Sequence, residues 1–440
     1  PIRLVESGPA GGAILATKVA EEMGLDKVIS FDMGGTTAKI CLIGDYRPQT
    51  AREFEVDRAA RFTKGSGLPL RIPVIEMVEI GAGGGSIARL DSLGRITIGP
   101  DSAGADPGPA AYGRGGDRPT ITDADVALGK IDPASFAGGK VALYPEKSEA
   151  TIMRDVGSPL GVPDVLTAAY GITEMVDETM SNAARVHAVE QGKAANEHSL
   201  IAFGGAAPLH AGRLAEKLGI DRIIVPTDAG VGSAVGFLEA PIAYEVVRSR
   251  NMRLTAFNPA IVNGLMQEMR DEALAVIRAA EPDADVVERR VAFMRYVGQG
   301  HEITIELPNG DFTDNDWQAV QKAFDTEYER HFRRTLPNAE TEVLTWALSL
   351  SVATPPPAPL GAAPAASAAT PAGQRGVFGA KAGKMRDVPL FRRTDMAPGA
   401  GFDGPGIVIE DQTSTYVPNG FSARIAANGY IVIERNGESD

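Results

Sequence analysis

The stretch Lys27-Val-Ile-Ser-Phe-Asp32-Met-Gly34-Gly35-Thr36-Thr37-Ala-Lys39-Ile-Cys41-Leu-Ile43 sets two apolar, β-prone runs on either side of a glycine pair. Such runs predict a hairpin whose turn gathers main-chain N–H groups. Glycines lack a Cβ, so those N–H groups can approach a phosphate. The Thr36 and Thr37 hydroxyls add donors, and Asp32 at the strand end can hold a Mg²⁺-bound water. A Gly-Gly hairpin with a capping Asp is also a common turn, so the stretch alone leaves both readings open.

Upstream, residues 9–23 place Ile14, Leu15, Val19 and Met23 at helical spacing, and Gly24 closes the helix. Downstream, 74–80 and 87–98 read as strands around Gly81-Ala82-Gly83-Gly84-Gly85-Ser86. That run lacks the acidic partner and βαβ frame of a dinucleotide fingerprint, which makes it a sharp turn with a phosphate contact as the alternative. Glycine, proline and alanine dominate 102–117, an ordered loop or lid. Helical periodicity marks 150–156 and 164–191. The apolar run Ser199–Phe203 reads as a buried strand, 211–218 as a helix, 222–226 as a strand and 228–237 as a small-residue helix. Strands alternating with helices predict an α/β core with a substantially parallel sheet.

Beyond this core, 258–280 and 314–334 are amphipathic helices around a strand pair at 291–296 and 301–307. Residues 354–375 are rich in Pro, Ala and Ser, a linker with too little apolar bulk to pack. Short strands at 406–409, 415–417, 423–425 and 430–433 follow. The expected organisation is a core domain at 1–250, an α/β extension completing that core at 251–353, the linker at 354–375 and a small β domain at 376–440.

Composition bounds the function. The 440 residues carry 43 Lys+Arg against 57 Asp+Glu, a formal charge of −14, which argues against nucleic acid or an anionic membrane as the main partner. A local phosphate pocket is still permitted. No apolar run reaches the ~18 residues of a membrane span. Cys41 is the one cysteine, which rules out an internal disulfide, fits a reducing compartment and, in a strand interior, reads as inert packing. The chain opens on Pro1 with no basic-then-apolar leader, so a fragment or a processed piece is expected.

A second glycine pair, Gly204-Gly205, follows the strand ending at Phe203 and precedes His210. Bare backbone there can pack a flat base or ribose, and a following helix start presents N–H groups; close strand–helix packing is the equal alternative. His210 could contact a phosphate or relay a proton. The five histidines have no metal-binding spacing, and no P-loop or Gly-x-Ser-x-Gly elbow occurs. Asp123 and Asp125 precede an apolar helix and read as N-cap residues; Glu174, Asp177 and Glu178 read as a solvated helix face.

Taken in order, these segments resemble the hydantoinase A/5-oxoprolinase family, relatives of ATP-dependent N-methylhydantoinases and of acetone and acetophenone carboxylases. The carrying stretches are 6–12 (ESGPAGG), 31–37 (FDMGGTT), 81–86, 102–125 (SAGADPGPAAYGRGGDRPTITDAD), 203–211 (FGGAAPLHA), 228–238 (DAGVGSAVGFL) and 295–300 (RYVGQG). The resemblance implies an actin-like ATPase fold with a ribonuclease H-like α/β core and a small C-terminal β-rich domain. In that fold 6–12 opens the first connecting helix, and Asp32 to Thr37 form the second phosphate hairpin. Residues 203–210 form the adenosine segment and 228–238 the second connector. The family's first hairpin, usually Asp-x-Gly-Gly-Thr, has no counterpart in these residues. Many members carry an acidic residue where this chain has Lys39, and a cysteine where it has Ala111.

The resemblance further implies ATP and Mg²⁺, with Asp32 on a Mg²⁺-bound water, Gly34, Gly35, Thr36 and Thr37 on phosphate, Gly204 and Gly205 on adenosine and His210 on phosphate or substrate. It implies phosphorylation of a cyclic-amide carbonyl for ring opening with a hydantoinase B-type partner, in a cytoplasmic hetero-oligomer. Two alternatives stand beside it. One is a carboxylase subunit acting on a ketone; the other is a non-catalytic scaffold with a degenerate nucleotide site.

Overall fold

The computed structural model describes residues 7–51, 54–56, 66–70, 74–355, 357, 360–361 and 365–437. Glu6 and part of the expected linker, residues 356, 358–359 and 362–364, lie outside them. The chain divides into two compact units, Pro1–Ala240 with Pro357–Asp440, and Pro241–Pro356.

The first unit opens with helix α1 (Ser7–Met23) and the hairpin strands β1 (Lys27–Met33) and β2 (Ala38–Gly44), followed by the short β3 (Arg47–Pro48). Strands β4 (Val78–Ile80), β5 (Ser86–Leu90) and β6 (Ile96–Ser102) lead to helices α2 (Ile121–Ala127), α3 (Pro145–Ile152) and α4 (Val165–Glu190). Then β7 (Ser199–Phe203), α5 (Ala207–Leu218), β8 (Arg222–Val225) and α6 (Gly232–Glu239) alternate. The glycine-flanked apolar runs behave as expected: β1 lies antiparallel to β2 and parallel to β7, and β7 lies parallel to β8. Strands with both faces covered read as near-continuous apolar runs, and Val28, Ile29, Phe31, Leu200 to Phe203 and Ile223 to Val225 are all buried. The fold is mixed α/β, with the antiparallel hairpin on one side of a parallel trio, the sheet of a ribonuclease H-like core.

The second unit forms β9 (Ala243–Arg253), α7 (Pro259–Ala280), β10 (Val286–Tyr296), β11 (Ile303–Leu307), α8 (Asp316–Phe332) and β12 (Thr341–Val352). Its antiparallel sheet runs β9-β12-β10-β11. Both helices and the central strand pair follow the expected periodicity; β9 does not announce itself, because charged residues interrupt its alternation, whereas β12 (TEVLTWALSLSV) is a β-prone run that sequence reasoning passed over. The unit has its own core around Met266, Met269, Phe324 and Trp346. The segment expected to complete the first core therefore stands as a core of its own.

The C-terminal segment supplies β13 (Gly373–Gly379), β14 (Lys384–Arg392), β15 (Ala400–Asp403), β16 (Gly406–Ile409), β17 (Ser414–Val417), β18 (Phe421–Ile425) and β19 (Ile431–Arg435). It is β-rich as expected, but it is not a separate domain. Strand β19 pairs antiparallel with β8, Ile433 opposite Ile223, and β18 and β15 extend the same sheet. The reason is edge protection: β8 would otherwise expose a row of unpaired N–H and C=O groups.

Candidate functional site

In an α/β sheet, ligands bind beyond the carboxyl ends of the parallel strands. Here β1, β7 and β8 deliver three loops to one such end. Asp32 stands next to last in β1, and the turn after it closes with Gly34 N–H donating to the Thr37 carbonyl at 3.2 Å. Gly35 and Thr36 at its tip are exposed. Among the described residues, no acceptor takes the N–H of either. Two adjacent uncommitted N–H groups on a glycine turn form an anion-binding concavity, so this turn fits a phosphate.

The second loop crosses the first closely. Gly204 has φ +99°, and a Cβ there would lie 2.4 Å from the Met33 carbonyl oxygen and 2.7 Å from Asp32 Oδ1. Only glycine permits that approach. Ala206 N–H donates to the Met33 carbonyl at 3.0 Å, locking the two loops together. The third loop leads into α6, whose second residue, Ser233, donates its hydroxyl to Asp32 Oδ2 at 2.5 Å. Burial pushes the Asp32 carboxyl above its usual range, against the opposing pull of the Ser233 hydrogen bond and the Lys39 ammonium. From the C-terminal segment, the Thr413 hydroxyl donates to the Gly205 carbonyl at 3.2 Å. The structure thus brings together Asp32, Gly34, Gly35, Thr36, Thr37, Gly204 and Gly205.

His210 is a different case. It has no exposed surface, and both ring nitrogens are committed to carboxylates: Nδ1 to Asp177 at 2.8 Å and Nε2 to Asp125 at 3.1 Å. Lys130 Nζ lies 3.2 Å from the other oxygen of Asp125. Burial alone would lower the His210 pKa, but the two carboxylates push it up to about 9. In this arrangement His210 does not contact a phosphate or a substrate; it ties α2, α4 and α5 together as an imidazolium. Asp177, expected on a solvated face, is buried in the same network. Glu174 and Glu178 instead pair with Arg213 and Lys217.

Asp123 does complete a capping box, but Thr120 is the N-cap. Its carboxylate also accepts from Ala110 N–H, Ala111 N–H and the Ser148 hydroxyl, at 3.1, 2.7 and 2.7 Å, fixing the Gly/Pro-rich loop. Ala111 is fully buried, and burial pushes the Cys41 thiol up to about 12, so neither position offers a nucleophile. Sequence reasoning passed over Ser233 and Thr413. Ser233 sits in the small-residue run 228–238, a weak signal; nothing local marks Thr413. A surface cavity of 470 Å³ lined by Arg95, Tyr170, Met175 and Lys217 shares no residue with the three loops.

The hydantoinase/oxoprolinase family model matches residues 1–246, and the model of the hydantoinase/oxoprolinase C-terminal domain matches 254–433. The chain belongs to the hydantoinase/oxoprolinase family. It is 32% identical to the caprolactamase subunit alpha of Pseudomonas jessenii, over 96% of this chain and 60% of that protein. It is 30% identical to the acetophenone carboxylase gamma subunit of Aromatoleum aromaticum, over 98% of this chain and 59% of the other. The crystal structure of the ATP-dependent caprolactamase from Pseudomonas jessenii superposes with a TM-score of 0.78 at 29% identity, over 98% of this chain and 62% of that one. The chain therefore spans about three fifths of the length of these two relatives. Among the described residues, no helix is long and apolar enough to cross a membrane, and no group of three or more His, Cys, Asp or Glu could hold a metal ion directly.

Proposed function

We propose that this chain is the nucleotide-binding part of an ATP-dependent enzyme that opens cyclic amides, working with a hydantoinase B-type subunit. The observation that carries the reading is the pair of uncommitted N–H groups at Gly35 and Thr36, set beside the Asp32 carboxylate at the carboxyl end of the sheet. An unactivated lactam is a poor electrophile. Transfer of the γ-phosphoryl group forms a bond from phosphorus to the lactam oxygen and breaks its bond to the β-phosphate oxygen, releasing ADP. Water then adds to the ring carbon and the C–N bond breaks as nitrogen takes a proton, leaving an acyl phosphate; a second water hydrolyses it to the carboxylate and inorganic phosphate.

Gly34, Gly35, Thr36 and Thr37 hold the phosphates in this reading, and Gly204 and Gly205 lie against adenosine. Asp32 offers one partly buried carboxylate backed by Ser233, which fits Mg²⁺ held through water. Such an ion would neutralise charge on the phosphates. Water activation falls to the partner, making the working enzyme a hetero-oligomer.

The likeness to a carboxylase subunit favours a second reading, in which the activated oxygen belongs to a ketone or bicarbonate. The test measures ADP release with caprolactam, hydantoins or oxoproline, and with ketones plus bicarbonate, in the presence of the partner subunit. Stimulation by a lactam alone is expected; strict dependence on ketone and bicarbonate would replace this reading by the second.

A further inference from the structure

The glycine run at 81–86, which reads as a sharp turn with a phosphate contact as the alternative, packs directly against the Gly34–Thr37 hairpin. Gly84 N–H donates to the Gly34 carbonyl at 2.9 Å, and Gly85 N–H donates to the Gly35 carbonyl at 2.7 Å. A trans peptide unit points its C=O and N–H in opposite directions. Holding the Gly34 and Gly35 carbonyls therefore aims the N–H groups of Gly35 and Thr36 away from the glycine run, toward the side where no described residue accepts them.

The contact is steric as well as polar. A Cβ on Gly83 would lie 2.5 Å from Thr36 N and 2.6 Å from Gly35 C, both main-chain atoms that cannot swing aside. Ser86 is fully buried; its hydroxyl accepts from Gly83 N–H at 2.8 Å and lies 3.4 Å from the Thr36 carbonyl oxygen. The run is itself anchored from behind. Thr122 N–H, in the first turn of α2, donates to the Gly84 carbonyl at 2.7 Å, and Ala103 N–H donates to the Gly85 carbonyl at 2.8 Å.

We infer that Gly83, Gly84, Gly85 and Ser86 are positioning residues for nucleotide phosphate: they set the orientation of the two hairpin peptides that bind it, without touching the ligand themselves. The inference rests on the nucleotide reading above and deepens it. It separates two parts of the site, since nothing in this contact set involves Gly204 or Gly205. Disturbing the run weakens binding of a triphosphate and leaves binding of adenosine alone.

The experiment titrates the 440-residue chain with Mg²⁺ and a non-hydrolysable ATP analogue, and separately with adenosine, by calorimetry. For Gly83→Ala the triphosphate affinity should fall about tenfold or more and the adenosine affinity by less than about twofold. For Ser86→Ala, which removes one hydroxyl, a fall of about threefold in the same ratio is expected. If Gly83→Ala does not fold by circular dichroism, Ser86→Ala decides. An unchanged ratio of triphosphate to adenosine affinity, or an equal loss of both, overturns the positioning role while leaving the nucleotide reading in place. Absence of saturable triphosphate binding by the unaltered chain overturns the nucleotide reading, and this inference with it.

Discussion

Asp32 and His210 show how differently single residues betray their work. The place of Asp32 is legible because a β-prone run followed by Gly-Gly sets a carboxylate at a strand end. Its partner Ser233 is not, being 201 positions away. Replacing Asp32 with Asn keeps the shape and removes a partly buried charge, so folding stability should change by less than about 1 kcal/mol. Turnover of ATP in the full enzyme should fall on the order of a hundredfold. Parallel thermal melts and ADP-release assays check this; equal damage to both would make Asp32 a structural turn residue. His210 follows a glycine pair in sequence, which suggested a ligand contact, but its place in α5 turns the ring into the interior. Its pKa is raised from the ordinary 6.5 to about 9, so its stabilising charge is fully present below pH 6.5 and is lost as pH rises through 9. The melting temperature should fall between pH 7 and 9.5, and His210→Asn should melt lower at pH 7 and lose that slope. A mutant with the same slope as the native chain would exclude His210 as its source.

Among elements, the crossing of α1 and α6 rests on missing side chains. A Cβ on Gly236 would lie 1.9 Å from the Gly11 carbonyl oxygen, and one on Gly11 would lie 2.3 Å from that of Ser233. The two helices meet backbone to backbone there, and that closeness brings the start of α6, with Ser233, to Asp32. The small-residue composition of both helices was readable in the sequence; that they pack on each other was not, because nothing local pairs segments so far apart. Gly236→Val should cost roughly 3 kcal/mol or more, seen as a lowered denaturant midpoint. A shift under about 0.5 kcal/mol would mean the helices can separate freely.

Across the whole molecule, the sheet runs unbroken from the N-terminal hairpin into the C-terminal strands, so the last residues belong to the first core. Ile431, Val432 and Ile433 are buried together with Ile223 and Ile224. Removing residues 400–440 should therefore abolish cooperative unfolding of the remainder or leave it insoluble; a truncated chain melting like the intact one would restore the idea of a separate β domain. Local pattern by itself determined the strand–helix alternation, the glycine turn with its aspartate, and the family, because propensity, glycine spacing and motif order all lie in consecutive residues. Only the tertiary structure decided that Ser233 backs Asp32, that the 81–86 run braces the hairpin, that His210 is interior, and that the C-terminal strands close the first sheet. Each of these depends on contacts between segments far apart in the chain, which depend on which faces must be buried and which strand edges must be paired.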